Sequence, residues 1–205
     1  MPVRENIKLP TEPVVIIPEE PGEIGYTTAM LEFLENSGLI EGRYELIEGK
    51  IYSKMGQNLR HSQTVAQLMR YLDRIEAFQE RRVVSDTSID TGTPGGNQPA
   101  PDVIVLRESL MKGKPLGTDV LLAIEVSDTT QTRDLQAKPP VYAGSGIAEY
   151  WVLDLPRRTI TTYRNPDVTT GIWGTTTTLA ETQTVAPESA PEDSVKVSDL
   201  LPPVE

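Results

Sequence analysis

The stretch LLAIEVSDTTQTRDLQAK, from Leu121 to Lys138, decides the fold because it begins as a long apolar run and ends in a polar segment. The apolar run predicts a strand in a sheet that is covered on both faces. Glu125 interrupts the run, and an ionised carboxylate inside a buried strand is costly unless an ion pair, a hydrogen bond or a metal compensates its charge. Because side chains alternate along a strand, Glu125 shares a face with Ala123 and is expected to lie beside a helix. Glu125 is therefore the first candidate functional residue.

The composition predicts a soluble globular protein. The chain has 205 residues, of which 38% are hydrophobic and 24% are charged. No apolar run is long enough to span a membrane, and the N-terminus lacks a signal-peptide pattern, so we expect a cytoplasmic protein with no membrane partner. The absence of cysteine excludes a disulfide framework, a thiolate zinc site and a cysteine nucleophile. The net charge of −11 repels phosphate at long range, and the single histidine limits histidine chemistry.

The order of predicted elements indicates an α/β domain with a mixed sheet flanked by helices. Residues 1–25 contain five prolines and no sustained period, and they predict an extended or disordered tail. The domain is expected over 26–202, with a short C-terminal tail over 203–205. The first predicted elements are a helix over 27–38, a hairpin that turns at Glu48-Gly49 and a long helix over 60–80. Four strands follow, over 82–89, 101–107, 119–127 and 148–155, with a helix over 135–145 between the third and the fourth. The last elements are a strand over 159–165 and a threonine-rich edge hairpin over 169–185, before a polar, proline-containing tail.

A second carboxylate is expected near Glu125. Pro101 places Asp102 at the start of the strand before, and the rest of that strand is apolar. If the two strands are neighbours, Asp102 and Glu125 converge at one end of the sheet. Two hard carboxylates in a partly buried cleft, with no histidine or thiolate close in sequence, suit Mg²⁺ or Mn²⁺.

Several motifs, taken together in order and spacing, resemble the Uma2 family of the PD-(D/E)XK nuclease superfamily. The motifs are YELIEGKI at 44–51, RHSQTVAQL at 60–68, PD at 101–102, IEVSD at 124–128, RDLQAK at 133–138, YAGSGIAEYWVLDL at 142–155 and VSDLLP at 197–202. The resemblance covers roughly Thr27 to Pro202. It implies a restriction-endonuclease-like core and Mg²⁺-dependent hydrolysis of phosphodiester bonds in DNA, with a homodimer as the form that cuts both strands.

The resemblance also implies roles for individual residues. Asp102 and Glu125 bind the metal, and Glu45 supplies a further acidic contact. The superfamily normally has a lysine two residues after the glutamate, where this chain has Ser127. The resemblance implies that this lysine has moved to Lys138, which orients the attacking water or screens the charge of the scissile phosphate. His61 is expected to face the substrate.

Two prolines depart from the family pattern immediately after Lys138. Pro139 disfavours helical geometry at Lys138, and Pro140 disfavours it at residue 139. The helix is therefore expected to begin only near Pro140, with proline in its first turn. The sequence leaves open whether this holds Lys138 in the cleft or moves it out of reach.

Each candidate also has a structural explanation. Asp102 can cap a turn, Glu125 can reach solvent at a strand end, and Lys138 can form a surface pair with Asp134. His61 can be a packed or capping residue, and Glu45 a solvated charge.

One other function stays open, and two more are disfavoured. A binding module without catalytic activity is favoured by the net charge of −11. A glycosidase would need an aromatic-lined cleft, and Asp90-Thr91-Gly92 is a single copy of an aspartic protease tripeptide that functions in pairs. A nuclease would need a basic face, for which the hairpin and the long helix offer Lys50, Lys54, Arg60, Arg70, Arg74, Arg81 and Arg82.

Overall fold

The computed structural model describes residues 25–54, 58–80, 82–93, 96–108 and 113–203. The predicted N-terminal tail lies outside the described residues except for Gly25, and so does most of the predicted C-terminal tail. No helix in the described part of the chain is long and apolar enough to cross a membrane.

A six-stranded mixed sheet forms the centre of the structure and confirms the predicted α/β class. Its strands lie in chain order: β3 (Val83–Ser85), β4 (Val103–Leu106), β5 (Val120–Ser127), β6 (Glu149–Asp154), β7 (Thr159–Asp167) and β8 (Ile172–Ala180). The β5–β6 pair is parallel, and every other neighbouring pair in this sheet is antiparallel. A parallel pair needs a crossover connection, and a helix after β5 supplies it.

Helices cover both faces of the sheet, which explains why β5 is apolar on both sides. One face packs against α2 (Leu59–Leu72) and the short α4 (Val197–Leu200), and its core includes Leu122, Ile124 and Val126. The opposite face packs against α3 (Lys138–Gly144), and its core includes Ala123 and Tyr142. Glu125 lies on this second face, as the alternation predicted, because it follows Ala123 by two residues.

A helix and a hairpin precede the sheet. The helix α1 spans Thr28–Asn36, with the Thr27 hydroxyl accepting a hydrogen bond from the Met30 N–H as its N-cap. The hairpin joins β1 (Tyr44–Ile47) to β2 (Lys50–Ser53) through Glu48 and Gly49, both of which have positive φ. Two such residues make the tight turn that matches the twist of a hairpin, so the predicted turn is confirmed. Gly49 also packs against Gly25, where an added Cβ would lie 2.9 Å from the Gly25 Cα atom.

The helix that carries Lys138 differs from its prediction. Helical geometry begins at Gln131, widens into a π-helical turn over Arg133–Ala137 and continues as α3, so Lys138 lies inside the helix with φ −76° and ψ −36°. The expectation that the helix begins only near Pro140 is therefore wrong. The Lys138 N–H bonds the Arg133 carbonyl, five residues back.

Tertiary contacts explain why two prolines are tolerated there. Pro139 and Pro140 lack the N–H groups that would bond carbonyls one turn earlier. Tyrosine hydroxyls from the sheet replace them: Tyr150 donates to the Asp134 carbonyl at 2.8 Å, and Tyr163 donates to the Leu135 carbonyl at 3.3 Å. The helix thus keeps its hydrogen bonds through side chains that lie far away in sequence.

Two further predictions need correction. The long helix α2 ends at Leu72, and the region after it contains only a 3₁₀ turn at Glu76–Phe78. The polar, proline-containing tail predicted after residue 185 is wrong, because β10 (Val195–Lys196) in this segment pairs with β9 (Thr184–Val185), and Val197, Leu200 and Leu201 are buried against the core. Short apolar segments without a sustained period do not predict this packing, although VSDLLP at 197–202 is one of the motifs that resemble the family. The threonine-rich strand β8 lies at the sheet edge, as expected.

Candidate active site

A cavity of about 160 Å³ lies where the hairpin, α2 and the ends of β4 and β5 meet. Its lining includes all five residues singled out from the sequence: Glu45, His61, Asp102, Glu125 and Lys138. Asp102 and Glu125 converge because β4 and β5 are antiparallel neighbours, with Val103 paired to Ile124, so the preceding and following residues face each other. The antiparallel register brings the two carboxylates to one end of the sheet.

Both carboxylates point at the same cation, which is the ammonium group of Lys54. The Lys54 Nζ atom lies 2.9 Å from Asp102 Oδ1, 3.9 Å from Glu125 Oε2 and 2.6 Å from the carbonyl oxygen of Ala100. Burial acts to lower the pKa of Lys54, but the attraction of Glu125 and Asp102 together outweighs it, so the net direction is upward. Lys54 therefore stays charged between the two carboxylates.

Asp102 is held as a carboxylate by donors on both of its oxygens. Its Oδ2 accepts the Val126 N–H at 2.8 Å and lies 3.0 Å from His61 Nε2. Burial acts to raise the pKa of Asp102, but the His61 hydrogen bond and the Lys54 charge outweigh it and hold that pKa well below its usual range. Since an ionised carboxylate only accepts hydrogen bonds, His61 donates from Nε2.

Glu125 is the buried acid that the sequence left unexplained, and three groups surround its carboxylate. Lys138 Nζ and the Tyr142 hydroxyl each lie 2.8 Å from Oε1, and the Lys54 ammonium lies near Oε2. Burial is still the largest influence and raises the pKa of Glu125 to about 8, although Lys138 and Lys54 act to lower it. The charge of Glu125 is thus only partly compensated by the protein itself.

Lys138 is buried and forms ion pairs with three acidic side chains. Its Nζ atom lies 2.8 Å from Glu125, 3.0 Å from Glu45 and 3.2 Å from Asp134. Burial lowers the pKa of Lys138, and the three carboxylates raise it further than that, so the net direction is upward. The side chain is only 1% exposed, so its pair with Asp134 is an interior contact and the surface pair considered above is wrong. One positive charge is shared among three carboxylates, which is why Lys138 stays protonated while Glu125 remains under-compensated.

Glu45 enters the site from the hairpin. Its Oε1 lies 3.2 Å from Arg133 Nε, and its Oε2 lies 3.0 Å from Lys138 Nζ and accepts the Ala100 N–H at 3.5 Å. Arg133 in turn stacks over the Tyr52 ring at 4.5 Å. Glu45 is fully buried, so the explanation as a solvated charge is wrong.

The donor set fits Mg²⁺ or Mn²⁺, provided that the Lys54 ammonium leaves its position between the two carboxylates. Lys54 acts as a stand-in cation, and its contacts show that Asp102, Glu125 and the Ala100 carbonyl present hard oxygens to a common position. Mg²⁺ in proteins is often held by one or two carboxylates, with waters and phosphate oxygens completing the shell. Within the described ranges, no group of three histidine, aspartate or glutamate side chains is arranged to hold a metal by itself. A metal at this position would rest on two carboxylates, and the Lys54 ammonium would have to move.

Sequence reasoning missed three residues of the site. Lys54 was assigned to a basic surface, and the roles of Arg133 and Tyr142 were not recognised. A cation directly after a hairpin strand and a tyrosine four residues after Lys138 were the available signals. Of the proposed basic face, Arg81 lies outside the described residues, Lys54 points inward, and the remaining members are exposed or half-buried: Lys50, Arg60, Arg70, Arg74 and Arg82.

Comparisons with known proteins agree with this architecture. A crystal structure described as "a putative nuclease belonging to DUF820", from Anabaena variabilis ATCC 29413, is similar with a TM-score of 0.61 and 17% sequence identity, covering 82% of this chain and 96% of that chain. At that identity the likeness concerns the fold. No curated protein matches the chain. The family model Uma2, described as "Putative restriction endonuclease", matches residues 33–198, which is most of the sequence. The chain therefore belongs to the Uma2 family.

Proposed function

We propose that the protein is a metal-dependent endonuclease that hydrolyses phosphodiester bonds in DNA, with Mg²⁺ or Mn²⁺ as the cofactor. The observation that carries the proposal is the convergence of Asp102 and Glu125 on one cation position at the wall of an open, polar cavity. Membership of the family described as "Putative restriction endonuclease" supports the reaction class.

The proposed chemistry is the attack of water on a phosphodiester phosphorus. The water oxygen bonds to phosphorus and gives up a proton, one phosphorus–oxygen ester bond breaks, and the leaving oxygen takes up a proton, so that one water is divided between the two products. A bound Mg²⁺ or Mn²⁺ would acidify the water and stabilise charge on the phosphate. Asp102 and Glu125 would hold that ion, since they already hold a cation in this structure.

The remaining residues have supporting parts in this proposal. Lys138 and Tyr142 fix the Glu125 carboxylate through Oε1, which leaves Oε2 directed at the cation position. His61 and the Val126 N–H fix Asp102 in the same manner. Glu45 binds Lys138 and Arg133, and by this arrangement it orients the two cations beside the cavity. The predicted contacts of Lys138 and His61 with water or substrate remain part of the proposal.

Substrate, assembly and location are proposed on the same basis. DNA is the proposed substrate from the family description, and a homodimer would supply the two cuts that a duplex requires. The net charge of −11 opposes non-specific DNA binding, so productive binding must rely on local positive groups such as Arg133 and Arg70, the exposed arginine of α2. We place the activity in the cytoplasm.

Plasmid nicking tests the proposal. Supercoiled DNA is incubated with the wild type and with Glu125→Gln, in Mg²⁺, in Mn²⁺ and in a chelator, and a parallel RNA substrate tests the choice of nucleic acid. We expect nicking that requires the metal and falls about a hundredfold or more in the variant, which is typical for the loss of one catalytic group. Glu35→Gln, on the exposed face of α1, is the matched control and should cut as the wild type does.

A second candidate function is a binding module that has lost catalysis. The acidic net charge and the occupation of the cation position by Lys54 favour it. Folded wild-type protein that neither binds metal nor nicks DNA would support this candidate and contradict the nuclease.

A further inference from the structure

The Lys54 ammonium occupies the position between Asp102 and Glu125 that a divalent metal would need. Binding of the metal there therefore depends on where this ammonium lies. The ammonium makes three contacts with oxygen atoms, from Ala100, Asp102 and Glu125. It donates hydrogen bonds to the Ala100 carbonyl at 2.6 Å and to Asp102 at 2.9 Å, and at 3.9 Å it forms an ion pair with Glu125. The two carboxylates are therefore partly neutralised by a charge that belongs to the chain.

The main chain at Lys54 is anchored by a backbone hydrogen bond, whereas its flexible side chain is held by the contacts of the ammonium. The Lys54 N–H donates to the Arg43 carbonyl at 2.8 Å, which fixes the residue directly after β2. Its four-carbon stem has several rotatable bonds and carries the charge as a compact point. Departure of the ammonium would therefore need only rotations within the side chain, and Lys54 lines a cavity of about 160 Å³.

We infer that Lys54 is an internal cation that competes with the divalent metal for Asp102 and Glu125 and leaves that position when the metal binds. This inference rests on the proposed metal-dependent function and adds a control of metal affinity to it. A divalent ion and an ammonium cannot share the same carboxylate oxygens, because two like charges at contact distance repel strongly in a partly buried site.

A substrate phosphate would provide a new partner for the displaced ammonium. Lys54 lines the same cavity as Arg133 and His61, and a substrate phosphate in this cavity would attract it. Substrate and metal thus favour the same displaced state of Lys54, and each promotes binding of the other. In the absence of both metal and substrate, the Lys54 ammonium stays with Asp102 and Glu125.

Calorimetric titration with Mn²⁺, without nucleic acid, tests the inference through a property other than activity. We expect Lys54→Met to bind Mn²⁺ at least about tenfold more tightly than the wild type, because a unit charge is removed at contact distance. Lys54→Arg retains the charge and should bind weakly. Lys50→Met makes the same charge change at an exposed position of β2 and should match the wild type.

Thermal unfolding with and without Mn²⁺ gives a second measurement. The melting temperature should rise more on adding Mn²⁺ in Lys54→Met than in the wild type, since tighter binding stabilises the folded state further. If Lys54→Met does not fold, Lys54→Gln replaces it, because its amide still donates to a neighbouring oxygen and carries no charge.

The outcomes separate this inference from the proposed function. Equal Mn²⁺ affinity in the wild type and Lys54→Met, or weaker affinity in the variant, overturns the competition and leaves the nuclease proposal intact. A complete lack of Mn²⁺ binding in the wild type and in every Lys54 variant overturns both.

Discussion

Replacement of Lys138 by methionine should destabilise the protein strongly. Methionine retains most of the volume of the side chain and removes its charge, so the change isolates the electrostatic contribution. Three carboxylates would lose a partner within 3.2 Å: Glu45, Glu125 and Asp134. Removal of one member of a buried ion pair typically costs about 3–5 kcal/mol, because the remaining charge stays buried without compensation.

The expected loss lies within that range. Glu45 keeps Arg133, Glu125 keeps Tyr142 and the more distant Lys54, and Asp134 keeps a hydrogen bond from the Thr130 hydroxyl. These partners reduce the penalty but do not remove it. Since domains are stable by about 5–15 kcal/mol in total, a loss of about 3 kcal/mol or more would move the unfolding midpoint far from that of the wild type.

Urea unfolding at pH 9, above the pKa of about 8 for Glu125, followed by tryptophan fluorescence, measures this loss. Lys50→Met, at an exposed site, should change the free energy of unfolding by less than about 0.5 kcal/mol. Adding Glu125→Gln to Lys138→Met should restore part of the loss, because it removes one uncompensated charge and the two sites are in contact. A Lys138→Met protein within about 1 kcal/mol of the wild type would refute the argument that this lysine compensates buried charge.

Two further predictions concern stability. Asp102 has a pKa below its ordinary value of 3.8, so its contribution to folding is fully present above that pH and is lost as the pH falls through the folded pKa. Asp102→Asn should therefore be less stable at neutral pH and show a flatter decline in acid, measured as urea midpoints across an acid pH series; parallel curves for the two proteins would contradict this. Leu200→Ala should cost about 2–5 kcal/mol in urea unfolding, because Leu200 is buried in the core, whereas Leu59→Ala at an exposed position should cost little. Equal midpoints for these two leucine variants would show that the C-terminal segment is not part of the core.

The sheet was predictable because its signal is local. Apolar runs with turn residues between them define β4, β5 and β6, and the interruption at Glu125 marks the functional face. Asp102 and Glu125 could be expected to meet, since consecutive strands usually pair. The tight turn at Glu48-Gly49 followed from the same local rules.

The placement of Lys54 and Glu45 depends on a contact that local rules do not contain. The hairpin docks through backbone hydrogen bonds between Leu46 and Gln98, which are 52 positions apart in the chain. This contact turns Glu45 and Lys54 toward the sheet. Neither its existence nor its register has a periodic signature, so a surface position for Lys54 was the natural expectation.

The prolines after Lys138 show a local rule overruled by tertiary structure. Pro139 and Pro140 argue against a helix at Lys138. The π-helical turn and the hydroxyls of Tyr150 and Tyr163 supply the missing hydrogen bonds. Because those donors come from strands that follow the helix, the segment could not be judged from its own residues.

The central claim is that Asp102 and Glu125 hold a divalent metal together. Crystals soaked in Mn²⁺ and measured for anomalous scattering test it most directly. We predict a single strong peak within about 2.2 Å of one oxygen of each carboxylate, the usual distance for such ions, with the Lys54 ammonium displaced. A peak elsewhere, or no peak while Lys54 still bridges the two carboxylates, would contradict the account.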